Sequence, residues 1–225
     1  MNEEKLNIRS SGKIAYSAEL IRKAIHLCSL SIPVIYYFIP RHLALEILVP
    51  LTLAFIVVDS LRYYHEPTAR IFYKLFGWML RSHEQDHAAK RLNGATYVLI
   101  SATICVLIFP KLITVTSFAI LIISDSTAAL IGRRYGKRKF FSKSMEGSTA
   151  FFISALVVSF LTPKIFYAPI EYGIAACGAA VGTVIEAMSI HIDDNLSIPI
   201  SISVVMWVLY TAFYPSSLSL LSVAR

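Results

Sequence analysis

Charged side chains are scarce in this sequence. Asp, Glu, Lys and Arg make up 16% of 225 residues, against 56% hydrophobic. Ordinary globular domains carry roughly a quarter charged residues, so this balance argues against a water-soluble fold. Cysteine is also rare: Cys28, Cys105 and Cys177 are the three, each inside an apolar run. Their spacing suggests neither a disulfide framework nor a zinc site, and at such positions Cys behaves as a small hydrophobe. No internal repeat or separate soluble domain is visible. A Walker A loop is missing too, because "GRRYGKRK" (132–139) puts three residues between its glycines and no hydroxyl after its lysine.

What the sequence has in abundance is long apolar runs. Seven recur along the chain, at 23–40, 43–61, 94–110, 112–131, 148–162, 167–190 and 198–213. Crossing a hydrocarbon core of about 30 Å takes around 20 helical residues, so the expected fold is all-α, a polytopic helical membrane protein of about seven transmembrane helices. The third and fifth runs are short for this purpose. The whole chain, 1–225, reads as one membrane domain that opens with a polar leader (1–22), with no convincing cleavage site after the first run. Segment 62–93 mixes Tyr63, Tyr64, Phe72, Tyr73, Phe76 and Trp78 with cations and reads as an interfacial amphipathic segment.

The basic residues set the expected orientation. Lys5, Arg9, Lys13, Arg22 and Lys23 lead into the first run, six cations lie in 62–93, and Arg133, Arg134, Lys137, Arg138, Lys139 and Lys143 follow the fourth run. The alternate connections hold the single cations Arg41, Lys111 and Lys164. Lys and Arg favour the cytoplasmic side, which puts the amino terminus inside. By depth, Asp59, Asp125, Glu186, Asp193 and Asp194 then fall toward the same inner leaflet, whereas Glu46 and Glu171 fall near the outer interface. Carboxylates within a membrane are costly and usually mark a site or an ion pathway, the ordinary alternative being an interhelical ion pair.

One stretch, "DSTAALIGRRYGKRKFFSKSMEGS" (125–148), concentrates the chemistry. On a helix, Asp125, Ala129, Gly132 and Gly136 share a face that is acidic at one end and otherwise small. The glycines would leave backbone accessible to a ligand, and Arg133, Lys137, Lys139 and Lys143 suit phosphate oxygens. Glu146-Gly147-Ser148 opens the next run, where a helix start offers N–H groups to an anion. A carboxylate beside such a cradle can hold Mg²⁺ together with substrate phosphates. Basic inner loops also arise from topology alone, but topology requires neither Asp125 within the run nor glycines at these positions. Elsewhere, Arg22, Lys23 and His26 fit headgroup anchoring or an interhelical contact, Arg81 and Glu84 fit a surface pair, and Gly178 and Gly182 fit close helix packing that turns Glu186 inward.

These residues resemble the signature of the integral-membrane CTP-dependent lipid kinases, the group that includes phytol kinase, dolichol kinase and the fungal CTP-dependent diacylglycerol kinase. The pattern D-x-x-A-x-x-x-G-[RK]-x-x-G-K, followed by K-[ST]-x-E-G, is matched by Asp125, Ala128, Gly132, Arg133, Gly136, Lys137, Lys143, Ser144, Glu146 and Gly147. Weaker agreement comes from "RKAIHL", from "LRSHE" with "NGATY", and from "DDNLSIP". The resemblance implies a kinase that transfers the terminal phosphoryl group of CTP, with Mg²⁺ or Mn²⁺, to the hydroxyl of a lipid alcohol such as phytol, a polyprenol or diacylglycerol. No nucleic-acid partner is expected.

In that reading 132–147 is the phosphate-binding loop, with Gly132, Arg133, Gly136, Lys137, Lys143, Ser144 and Gly147 at the nucleotide. Asp125, Glu146 and Lys137 are the catalytic candidates, and the base stays open between Asp125 and Glu146. Asp125, Asp193 and Asp194 are the candidate metal ligands, and Lys23, His26, Arg81, Glu84, Glu186 and Asn195 are accessory. The site would face the cytoplasm. Phosphatidate cytidylyltransferases are similar in the same loop, but a Ser-Pro pair normally precedes their Lys-Ser, where this chain has "KFFSKS". A small transporter is the alternative outside enzymes, disfavoured because the carboxylates lie near one leaflet rather than at the midplane.

Overall fold

The computed structural model describes residues 20–76, 92–188 and 192–215. In chain order the elements are α1 (20–28), α2 (Ser31–Phe38), α3 (Arg41–Leu61), α4 (Glu66–Phe76), α5 (Gly94–Ile108), α6 (Lys111–Tyr135), β1 (Lys139–Phe140), β2 (Lys143–Ser144), α7 (Met145–Leu161), α8 (Pro169–Met188) and α9 (Asp194–Phe213). Among the described residues the all-α expectation holds apart from one small antiparallel hairpin, β1–β2, which pairs Lys139 with Ser144 and Phe140 with Lys143.

Among the described residues four helices, α3, α6, α8 and α9, are long and apolar enough to cross a membrane, which fits an integral membrane protein. The other three runs form shorter pieces. α5 and α7 have 15 and 17 residues, which at 1.5 Å per residue extend only about 22 and 26 Å. The first run is split at a turn over Ser29 and Leu30. Pro33 explains the break: it has no N–H for the Ser29 carbonyl four residues back and its ring crowds that oxygen, which accepts instead from Ile32 N at 2.9 Å. Of segment 62–93, α4 is helical through Phe76, and Arg81 and Glu84 lie outside the described residues.

α6 is the central helix, packed against α2, α5, α7, α8 and α9. Ile113, Phe118, Ile120, Leu121 and Ile122 are buried along it. Small hydroxyls let the helices approach closely and bond across their interface: Ser203 Oγ of α9 donates to Ser117 Oγ of α6 at 2.8 Å.

At one end of the bundle the isolated cations satisfy helix carbonyls. Arg41 donates to the Leu107 carbonyl, Lys111 Nζ to Ile39 O, and Lys164 Nζ to Ser159 O and Thr162 O. Each sits where the last carbonyls of α5, α2 or α7 have no partner within their own helix. Glu171, expected at the outer interface, is instead fully buried at this end. Its carboxylate accepts from the N–H groups of Ile165, Phe166 and Ala168 at 2.8 to 3.2 Å and from Tyr210 Oη at 3.0 Å. These donors together compensate the burial of the Glu171 carboxylate.

Asp59 likewise has a structural role. It accepts from Asn93 N at 2.6 Å and Thr96 Oγ1 at 3.0 Å, and pairs with Arg62 Nε at 2.9 Å. It thereby ties the end of α3 to the start of α5. The Arg62 guanidinium lies 4.8 Å from the Phe72 ring centre, docking α4 by a cation–π contact.

Candidate active site

The end of α6, the start of α7, the end of α8 and the start of α9 meet at the opposite end of the bundle. α6 terminates at Tyr135 with Gly136 as its cap, and the hairpin turns at Phe141, whose φ of 50° places it in the left-handed region. Ser144 then caps α7, its Oγ accepting from Gly147 N at 3.1 Å. A Cβ added to Gly136 would lie 2.3 Å from Gly132 O and 2.8 Å from Ser144 Oγ. The glycines therefore let the hairpin close onto α6.

Glu146 completes this closure. Its carboxylate accepts from Lys137 N at 3.0 Å and Arg138 N at 3.3 Å. Both N–H groups of the turn after α6 thus donate to the Glu146 carboxylate, which shapes the loop. Arg133, Lys137 and Lys139 project from it as exposed cations.

Lys143 points the other way, into the protein. Its ammonium lies 3.0 Å from Asp194 Oδ2 and 3.3 Å from Glu186 Oε1. Ser148 Oγ of α7 donates to the second oxygen of Glu186 at 3.3 Å. Burial alone would lower the pKa of Lys143, but Asp194, Glu186 and Asp125 outweigh it and hold the pKa above the usual lysine value. Asp125, buried on α6, is ion-paired with Lys23 of α1, and His26 Nε2 lies 3.7 Å from the same oxygen. α8 comes close enough to α9 for this meeting because Gly178 and Gly182 face Ile202 and Met206; a Cβ at Gly182 would stand 2.7 Å from Ile202 Cδ1.

Lys23, His26, Asp125, Lys143, Glu186 and Asp194, read from separate stretches of sequence, thus converge. Asp193 does not join them: its Oδ1 accepts from Asn195 N at 3.0 Å and Asn195 Nδ2 at 2.8 Å, capping α9. The first turn of a helix needs such an acceptor, which accounts for both Asp193 and Asn195. Among the described residues no three His, Cys, Asp or Glu side chains form a group that could hold a metal ion by themselves. The sequence reading missed Ser148 and the hairpin. Two-residue strands carry too little alternation to be seen, and Ser148 had no pattern beyond its place after Glu146-Gly147.

The fold and this cluster define a mostly helical protein with membrane-length helices and a site of paired lysines and carboxylates at one end. An uncharacterized protein of Rickettsia prowazekii is 30% identical over 190 residues, covering 83% of this chain and 92% of that protein, and the chain belongs to the same family. More distant similarity reaches named lipid kinases. A probable chloroplastic phytol kinase of Glycine max is 28% identical over 143 residues, 56% of this chain. A CTP-dependent diacylglycerol kinase of Schizosaccharomyces pombe is 26% identical over 157 residues, 63% of this chain and 70% of that protein. The chain spans about half the length of the plant relative, 49%. No family model matches the chain, and no solved structure matches it.

Proposed function

We propose that this protein is a CTP-dependent kinase that transfers the terminal phosphoryl group to the hydroxyl of a membrane lipid alcohol, at a site open to the cytoplasm. The observation that carries the reading is Lys143 held between Asp194 and Glu186 beside the buried Asp125, within a loop of the lipid-kinase pattern. The named relatives support the same class: one is a CTP-dependent diacylglycerol kinase and another a probable phytol kinase.

Phosphoryl transfer asks a protein mainly for positioning and charge stabilisation. Arg133, Lys137 and Lys143 bind the triphosphate oxygens, Lys143 from the buried side and the other two from the exposed loop. Asp125 and Asp194 supply oxygen donors of the kind Mg²⁺ or Mn²⁺ takes alongside substrate phosphates, so the donor set fits a metal completed by the nucleotide. A bound metal would neutralise charge on the transferring group. The base that orients the acceptor hydroxyl and takes its proton is Asp125 or Glu146; Asp125 would have to exchange its ion pair with Lys23 for the hydroxyl, and Glu146 its two backbone N–H groups. The new P–O bond forms at the lipid oxygen, the bond from the γ-phosphorus to its bridging oxygen breaks, and CDP leaves.

Purified protein incubated with Mg²⁺, CTP labelled at the γ or the α phosphorus, and a panel of phytol, polyprenols, diacylglycerol and phosphatidic acid tests this. The expected result is lipid-bound label from γ-labelled CTP with an alcohol acceptor. Label from the α position on phosphatidic acid, with none from the γ position, would instead indicate a cytidylyltransferase and sink the proposal.

A further inference from the structure

Lys143 is held by two carboxylates of unequal character. The Asp194 side chain is 18% exposed, at the first turn of α9, whereas that of Glu186 is 4% exposed. Glu186 is fixed from behind by Ser148 Oγ of α7. Its neighbour on α8, Ala187, accepts from both Ser142 N at 3.1 Å and Ser142 Oγ at 2.7 Å. The hairpin is therefore docked on the last turn of α8 at two consecutive points, Ser142 on Ala187 and Lys143 on Glu186. One contact fixes the backbone, and the other aims the ammonium.

We propose that Glu186 is a positioning residue, which keeps the Lys143 ammonium aimed at the phosphate site when Asp194 turns to an incoming ligand. The inference rests on the reading of Lys143 as a phosphate-binding group. Asp194 is the exchangeable partner, being the more exposed of the two and at a helix start. Glu186 has no such freedom, since Ser148 holds one oxygen while Lys143 takes the other.

Electrostatics makes the test sharp, because positioning and simple charge balance predict opposite signs. A carboxylate near an anion site repels the anion, so Glu186→Gln should tighten anion binding if Glu186 only neutralises Lys143. If Glu186 aims Lys143, the same substitution weakens binding. The probe is inorganic tripolyphosphate, titrated calorimetrically into the full chain in detergent, for wild type, Glu186→Gln, Lys143→Met and the double variant. Glu186→Gln is expected to weaken tripolyphosphate binding several-fold, on the order of 5-fold, yet to leave it unchanged or tighter in the Lys143→Met background. In turnover with CTP, Glu186→Gln should lower kcat while adding no further loss to Lys143→Met. Ser148→Ala keeps both charges and loosens Glu186, so it should weaken binding in the same direction by less, and it serves if Glu186→Gln fails to fold. Tighter binding in Glu186→Gln, or equal losses with and without Lys143, overturns the proposal. The kinase reading fails on a different measurement, the absence of label transfer from CTP by wild type.

Discussion

Gly132 and Gly147 meet backbone to backbone, so that a Cβ on Gly147 would stand 3.2 Å from Gly132 Cα and 3.1 Å from the Ala128 carbonyl oxygen. This contact joins the end of α6 to the start of α7, and with it fixes where Asp125 stands relative to the hairpin that carries Lys143. Substitution should be graded by the space available. Gly136→Ala, facing Gly132 O at 2.3 Å, should destabilise most, by about 1–3 kcal/mol, and Gly147→Ala by less. Gly173→Ala on α8, with no atom within 4 Å, should be neutral or slightly stabilising. Thermal unfolding in detergent ranks the three, and equal midpoints would contradict the packing role.

Lys143→Ala should lower turnover on the order of 10²-fold or more if, as proposed, its ammonium binds the transferring phosphate. Lys137→Ala should act in the same direction from the exposed side of the loop. Initial rates with CTP and a lipid alcohol measure both, and full activity in the pair of variants would remove the loop from the mechanism.

The ion pair of Lys23 with Asp125 is buried, with Lys23 4% and Asp125 8% exposed. Breaking one partner strands the other, so Asp125→Asn should destabilise by about 3 kcal/mol or more and abolish transfer. The double variant Asp125→Asn with Lys23→Met should regain much of the stability and none of the activity. Recovery of activity in that double variant would show that Asp125 acts only through Lys23.

If Asp125 and Asp194 hold a divalent cation with the substrate phosphates, as proposed, excess chelator should abolish transfer and Mg²⁺ should restore it. Undiminished turnover in chelator would rule out the metal role of Asp125 and Asp194.

Glu171 offers the contrasting case, a buried carboxylate outside the site. Glu171→Ala leaves three loop N–H groups and Tyr210 Oη without their acceptor. A loss of about 1–3 kcal/mol is expected, with turnover per folded molecule unchanged. A selective loss of turnover at unchanged stability would instead tie the far end of the bundle to catalysis.

The sequence by itself determined that this chain is a helical protein of membrane character, because apolar runs and scarce charge are properties of composition and order alone. It also marked Asp125 and Glu186 as residues to watch, since a charge within an apolar run stands out wherever the run is placed, and Lys143 and Asp194 in the polar connections beside those runs. Only the tertiary structure decided which charges meet. Asp59 and Glu171 look in sequence like Asp125 and Glu186, yet the first two satisfy backbone N–H and side-chain donors at helix ends while the others gather with lysines. Asp193 and Asp194 are adjacent, but one caps α9 and the other reaches Lys143. The physical reason is that a carboxylate takes whichever donors the fold brings within about 3 Å, and those donors come from segments far apart in the chain: Lys23 on α1 for Asp125, and Lys143 on the hairpin for Glu186.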